Sequence, residues 1–69
     1  MKLPTKRQGQ AAFSRGQDDA IAGIGRDSGP WSPLAPDLAE RCLSAAYQRG
    51  YGYGLQVALQ DEYGNAPTA

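Results

Sequence analysis

Two similar stretches decide how this sequence folds: "AAYQRGYGYG" at Ala45–Gly54 and "AAFSRGQDDA" at Ala11–Ala20. Each copy has two alanines, an aromatic residue, one further residue and Arg-Gly, and a small residue follows four positions after that glycine. Glycine in a helix interior costs about 1 kcal/mol relative to alanine. A helical sequence that places a glycine at the same point twice therefore indicates that these glycines have a packing role.

The small residues predict close contact between two helices. Gly16 and Ala20 are four residues apart in the first copy, as are Gly50 and Gly54 in the second. Residues at this spacing share one face of a helix, and small side chains let two backbones approach closely. We therefore predict an all-α fold, a two-helix antiparallel hairpin with these four residues at its seam. Gly52 lies off the stripe, and packing does not explain it.

The rest of the pattern predicts one helical domain between two tails. Residues 1–8 are expected to form a disordered basic tail, residues 9–63 the hairpin, and residues 64–69 a disordered C-terminal tail. The stretch 23–36, "GIGRDSGPWSPLAP", contains three glycines and three prolines. This composition is typical of a long connector.

Composition limits the classes of protein that the chain can belong to. Leu, Ile, Val and Phe together supply only ten of 69 residues, which indicates a marginal core and leaves a homodimer open. The single cysteine, Cys42, cannot form an internal disulfide, and the absence of histidine removes the usual zinc-site spacings. No metal or cofactor is expected. The sequence has neither an apolar run of membrane-spanning length nor a signal-peptide core, so we expect a cytoplasmic protein.

Several side chains are candidates for contact with a partner. Lys6 and Arg7 lie in the basic tail, while Arg15 and Arg49 each precede a packing glycine. Guanidinium groups beside the seam suit phosphate binding, but they could equally pair with nearby carboxylates. The carboxylates in question are those of Asp18, Asp19 and Glu40. Asp18 and Asp19 diverge around a helix and are expected to be solvated.

Trp31 stands in the middle of the predicted connector. An indole is too large an apolar surface to be left in water without a reason. The favoured interpretation is a lid over the open end of the helix pair, and the alternative is an anchor for a partner.

From Ala12 to Trp31 the sequence resembles the ribosome modulation factor family and its mobile-element relatives of the CrpP type. The family pattern runs Ala-x-x-Arg-Gly, Ile-Ala-Gly and Cys-Pro-aromatic, and "RGYGYG" loosely echoes its second helix. Three features depart from the family. Gly29 replaces the cysteine, "LAERCLSAAYQ" replaces a tryptophan-rich helix start, and the net charge is zero where the family is strongly basic. The matching residues, which fall in register without a gap, are Ala12, Arg15, Gly16, Ile21, Ala22, Gly23, Pro30 and Trp31.

The resemblance implies a small protein that binds the small ribosomal subunit or RNA and modulates translation. Under this hypothesis the cations of the chain contact phosphates, and Tyr51 and Trp31 stack on unpaired bases. The cations concerned are Lys6, Arg7, Arg15, Arg26 and Arg49.

The alternative hypothesis is an inhibitor or adaptor, encoded by a phage or mobile element, that binds a host protein or nucleoprotein complex in the manner of an anti-CRISPR protein. Its predicted contact surface is an exposed aromatic patch of Tyr47, Tyr51 and Trp31. An enzyme is not expected, because "GIGRDSG" lacks the Lys-Ser/Thr of a P-loop and no strand precedes it.

Overall fold

The computed structural model describes residues 3–26 and 29–60, which form two helices joined by a connector. Helix α1 spans Lys6–Ala22 and helix α2 spans Leu38–Leu59. These elements confirm the all-α class and the pairing of two helices. The predicted tail at residues 64–69 lies outside the described residues, as do residues 61–63, where α2 was expected to end.

Helix α1 begins earlier than predicted because Thr5 caps it. The Thr5 hydroxyl accepts a hydrogen bond from the Gln8 backbone N–H at 3.1 Å, and the Gln8 side chain accepts one from the Thr5 N–H at 2.8 Å. This reciprocal capping box satisfies two amide groups at the helix start. The prediction that residues 1–8 are disordered is therefore wrong for Lys6, Arg7 and Gln8, which form the first turn.

Gly23 ends α1 where the sequence predicted a stop. Its φ of 77° lies in the left-handed region, which glycine enters without a steric penalty. The amides of Gly23 and Ile24 donate to the carbonyls of Ala20 and Asp19 at 3.2 and 2.8 Å, the arrangement of a Schellman motif. The chain thereby leaves the helix axis and enters the connector.

The two helices run parallel, and the predicted antiparallel direction is wrong. The backbone of Phe13 lies against Gly50, and that of Gln17 lies against Gly54, so contact advances along both helices in the same direction. Thr5 lines one small cavity together with Asp37, where both helices begin. The connector allows this because its residues can span about 50 Å, whereas α1 is only about 26 Å long.

The two copies of the sequence repeat are related by a pseudo-two-fold axis that runs between the helices. Gly16 and Gly50 are 34 positions apart, and so are Phe13 and Tyr47. A Cβ atom on Gly16 would overlap the carbonyl oxygen of Tyr47, and one on Gly50 would overlap that of Phe13. Such reciprocal contacts are the mark of a two-fold interface. Gly16, Gly50 and Gly54 are buried as predicted, as is Ala20, while Gly52 faces open space.

Within residues 3–26 and 29–60, the buried core is made largely of alanine, with one large side chain, Tyr47, that is 2% exposed. Close approach of the backbones compensates for this scarcity of large apolar residues, since it brings many atoms within van der Waals distance. The remaining buried hydrophobic residues of the described chain are Ala12, Ala20, Ala35 and Ala46.

Candidate functional site

The connector returns along one side of the helix pair, which we call the connector face. Near the end of α1, the Tyr51 hydroxyl donates a hydrogen bond to the Ile24 carbonyl at 2.6 Å. The Arg26 guanidinium then lies 4.9 Å from the centre of the Tyr51 ring, within the range of a cation–π interaction. Tyr51 of α2 therefore marks the start of the path that the connector follows along this helix.

Gly29 and Trp31 continue this track over the ring of Tyr47. A Cβ on Gly29 would lie 3.0 Å from two atoms of that ring, so glycine lets the backbone cross it closely. The Trp31 and Tyr47 ring centroids are 6.1 Å apart in a tilted arrangement. Trp31 is half-buried on the side of α2, so the predicted lid over the end of the helix pair is wrong.

The connector reaches α2 through its polar groups. The Ser32 backbone N–H donates to the Glu40 carboxylate at 3.0 Å, and the Leu34 N–H donates to the Ser32 hydroxyl at 3.1 Å. Asp37 then accepts a bond from the Ala39 N–H at 3.1 Å and caps α2. Both ends of the connector are therefore held by specific hydrogen bonds.

A cleft of about 310 Å³ opens between this connector and α2. Arg26 contributes a cation, Trp31 an aromatic surface and Gln48 an amide. The volume is at the lower end of the range for small-ligand sites. A flat group that carries negative charge is the ligand that this combination suits best. Its remaining lining residues are Gly29, Pro30, Ser32 and Pro33.

Tyr47 is a core residue and not the exposed contact that the sequence predicted. Its hydroxyl donates a hydrogen bond to the Asp19 carboxylate at 2.6 Å. Burial, followed by this hydrogen bond and the negative charge of Asp19, raises the pKa of Tyr47 to about 12. Because the helices are parallel, Tyr47 projects across the seam towards α1. Asp19, predicted to be solvated, is consequently only 13% exposed at its side chain.

The two seam arginines do not form a joint phosphate site. Arg15 lies 3.9 Å from Asp19, and its side chain is 53% exposed, so its charge is balanced on the connector face. Arg49 occupies the equivalent position of the repeat, and equivalent positions point to opposite sides of a two-fold pair. Of the three carboxylates predicted as possible partners of the arginines, Asp19 is the one that pairs with Arg15.

Lys6 and Arg7 are exposed in the first turn of α1. Neither residue lines the cleft that contains Arg26. The structure therefore brings Arg26, Trp31 and Tyr51 together and leaves these two predicted contact residues apart from them.

The opposite side of the pair, which we call the open face, has no covering segment among the described residues. Phe13 packs there against Tyr53 with ring centroids 6.1 Å apart, and Tyr53 is 51% exposed. Arg49 lies one helical turn before Tyr53 on the same side of α2. Sequence reasoning missed this face, although the alignment of Phe13 with Tyr47 was a usable signal.

Three further observations limit the site. Among residues 3–26 and 29–60, no group of three or more His, Cys, Asp or Glu side chains could hold a metal ion. Neither described helix is long and apolar enough to cross a bilayer. Comparison with family models, curated proteins and solved structures finds no match to this chain.

Proposed function

We propose that this protein is a small, non-enzymatic binding protein that associates with RNA, on the ribosome, and modulates translation. The observation that carries the proposal is the cleft in which the connector holds Arg26 over Tyr51 beside Trp31. The proposal places the protein in the cytoplasm and is in line with the resemblance to the ribosome modulation factor family.

The cleft combines two elements of single-stranded RNA recognition. Unpaired bases stack on aromatic side chains, and each such stack contributes about 1–3 kcal/mol. The half-buried indole of Trp31 offers that surface, while the guanidinium of Arg26 is exposed beside it for a phosphate oxygen. Gln48 adds an amide that can donate to or accept from a base edge.

The proposal predicts a weak dependence of binding on salt. A cleft with one arginine neutralises one or two phosphates, so log K should fall with log salt with a slope of about −0.7 to −1.4. A slope of this size differs from the steep dependence of strongly basic RNA-binding proteins. It agrees with a chain whose formal net charge is zero.

The test measures binding of a fluorescent single-stranded RNA and co-sedimentation with purified small subunits. Arg26→Gln should lower both affinities about tenfold, since a bond to a charged group is removed. Arg41→Gln, an exposed arginine of α2 that does not line the cleft, is the matched control and should change neither. Equal affinities for wild-type protein and Arg26→Gln would refute the proposal.

A second candidate function is an inhibitor or adaptor that binds a host protein. Exposed apolar side chains in and just after the C-terminal parts of the two helices favour it. Affinity purification from host lysate, with and without nuclease, separates the two functions. A partner retained after nuclease treatment supports the protein-binding candidate, while ribosomal material lost after it supports RNA association. The side chains concerned are Ile21, Ile24, Leu55 and Leu59.

A further inference from the structure

We propose that the open face binds an extended peptide segment of a partner protein, and that this segment carries a carboxylate that Arg49 and Tyr53 bind. The proposal does not depend on the RNA cleft, because that cleft lies on the connector face. It rests on a comparison of two sites that the pseudo-two-fold axis relates within one molecule.

The connector face shows how one side of the helix pair holds an extended segment. There Gly29 crosses the ring of Tyr47, and Tyr51 donates a hydrogen bond to a backbone carbonyl, that of Ile24. The equivalent positions on the open face are Phe13 and Gln17. Phe13 offers a ring of the same size, and the Gln17 amide can donate to a peptide carbonyl as the tyrosine hydroxyl does.

The charges of the two faces differ in a way that defines the occupant. On the connector face, the Asp19 carboxylate lies beside Arg15 and accepts the Tyr47 hydroxyl. The repeat places Tyr53 at the position of Asp19 and Arg49 at that of Arg15. The open face therefore has a cation and a hydroxyl donor, with no carboxylate at the equivalent position. An occupant that supplies a carboxylate would give Arg49 the counterpart that Asp19 provides for Arg15 on the connector face.

A peptide fits this face better than a nucleic-acid strand does. A strand presents a phosphate at every nucleotide and is held by several cations along its path. On the stripe that passes through Phe13, the only cation of α1 is Lys6, two turns away, and Arg49 is the cation beside Tyr53. One localised cation next to two aromatic rings matches a single carboxylate in an otherwise uncharged segment.

The experiment titrates the full chain with two fluorescent peptides, acetyl-EGPWSP-amide and its neutral twin acetyl-QGPWSP-amide, whose last five residues repeat the connector sequence. The acidic peptide should bind about fivefold more tightly, as expected for an exposed ion pair. Arg49→Gln should abolish this preference. Arg15→Gln, the equivalent substitution on the connector face, should preserve it. Amide chemical shifts should move at Phe13 and Tyr53.

Other outcomes identify other occupants and overturn the proposal. Equal affinity for the two peptides, or shifts confined to Tyr47 and Trp31, would exclude the carboxylate site. If single-stranded RNA displaces the acidic peptide from the wild-type chain but not from Arg49→Gln, the open face binds nucleic acid instead. If the chain dimerises as its concentration rises and Tyr53→Ser prevents this, the open face binds a second copy of the chain. Arg26→Gln keeps the two proposals separate, because it should weaken RNA binding and leave peptide binding unchanged.

Discussion

The connector face and the open face have the same underlying design and different surroundings. On each face one aromatic side chain crosses the glycine seam to the other helix: Tyr47 on the connector face and Phe13 on the open face. The connector covers Tyr47 down to 2% exposure, whereas the contact that Phe13 makes is with a tyrosine that is 51% exposed. The repeat therefore determines the seam, while the segment that follows α1 determines which side of the helix pair is available for binding.

The seam should be the most sensitive part of the molecule. Gly50→Ala places a methyl group against the Phe13 carbonyl oxygen, and two backbones cannot move apart locally. We expect a loss of about 3 kcal/mol or more, enough to unfold a chain of this size. Gly52→Ala, which faces open space, should instead stabilise the helix by up to about 1 kcal/mol. Urea unfolding followed by circular dichroism measures both, and equal effects would contradict the close seam.

High pH should weaken the connector face specifically. The pKa of Tyr47 is about 12 in the folded chain, against 10.0 for the free side chain. The unfolded state therefore releases its proton first, so the stabilisation is complete below pH 10 and is lost as the pH rises towards 12. Two pKa units correspond to roughly 3 kcal/mol.

The control for this pH dependence is Tyr47→Phe, whose stability should fall less between pH 10 and 12 than that of the wild-type chain. At pH 7 the same substitution removes the hydroxyl donor to Asp19 and should destabilise by about 1.5–3 kcal/mol. Phe13→Tyr, its counterpart on the open face, should be nearly neutral. Identical pH profiles for wild type and Tyr47→Phe would show that Tyr47 is not buried against Asp19.

The sequence was sufficient for the seam and insufficient for the direction of the helices. Small residues at a four-residue spacing identify a helix face, which is local information, so Gly16, Ala20, Gly50 and Gly54 were predicted correctly. A seam of this kind fits parallel and antiparallel pairs equally well, and only the path of the connector chooses between them. Tyr47 was predicted in an exposed aromatic patch, whereas the structure covers it with Asp19 of α1 and with Gly29 and Trp31 of the connector.

The candidate site was predictable in part. Arg26, Trp31 and Tyr51 were singled out under the RNA-binding hypothesis that the family resemblance implies, which assigns phosphate contacts to cations and stacking to aromatic rings. Their convergence depends on the return of the connector along α2, which no local pattern encodes. The open face needed a different signal, the alignment of the two repeats residue by residue.

Connector packing should contribute an intermediate amount to stability. Trp31→Ala removes an indole that contacts Tyr47 and should cost about 2–3 kcal/mol, less than a fully buried site because Trp31 is half-buried. Leu34→Ala, on a side chain that is 89% exposed, should change stability by less than about 0.5 kcal/mol. Thermal unfolding distinguishes them, and an equal effect of both would mean that Trp31 does not pack on α2.

The two seam arginines should give the smallest effects. Arg15→Gln removes an exposed ion pair with Asp19 and should cost at most about 1 kcal/mol, decreasing with salt. Arg49→Gln should leave stability unchanged, since its counterpart carboxylate is replaced by Tyr53. A larger loss for Arg49→Gln than for Arg15→Gln in low-salt unfolding would reverse the assignment of the two faces.

Spin-label distances test the parallel direction most directly. In a Cys42→Ser background, one label pair is placed at Arg7→Cys and Arg41→Cys, and a second pair at Arg7→Cys and Leu59→Cys; all three label sites are exposed. The parallel pair places residues 7 and 41 at the same level and residue 59 about 27 Å further along the axis. The 7–41 distance should therefore be clearly the shorter one. A 7–59 distance shorter than the 7–41 distance would contradict the parallel, pseudo-two-fold arrangement.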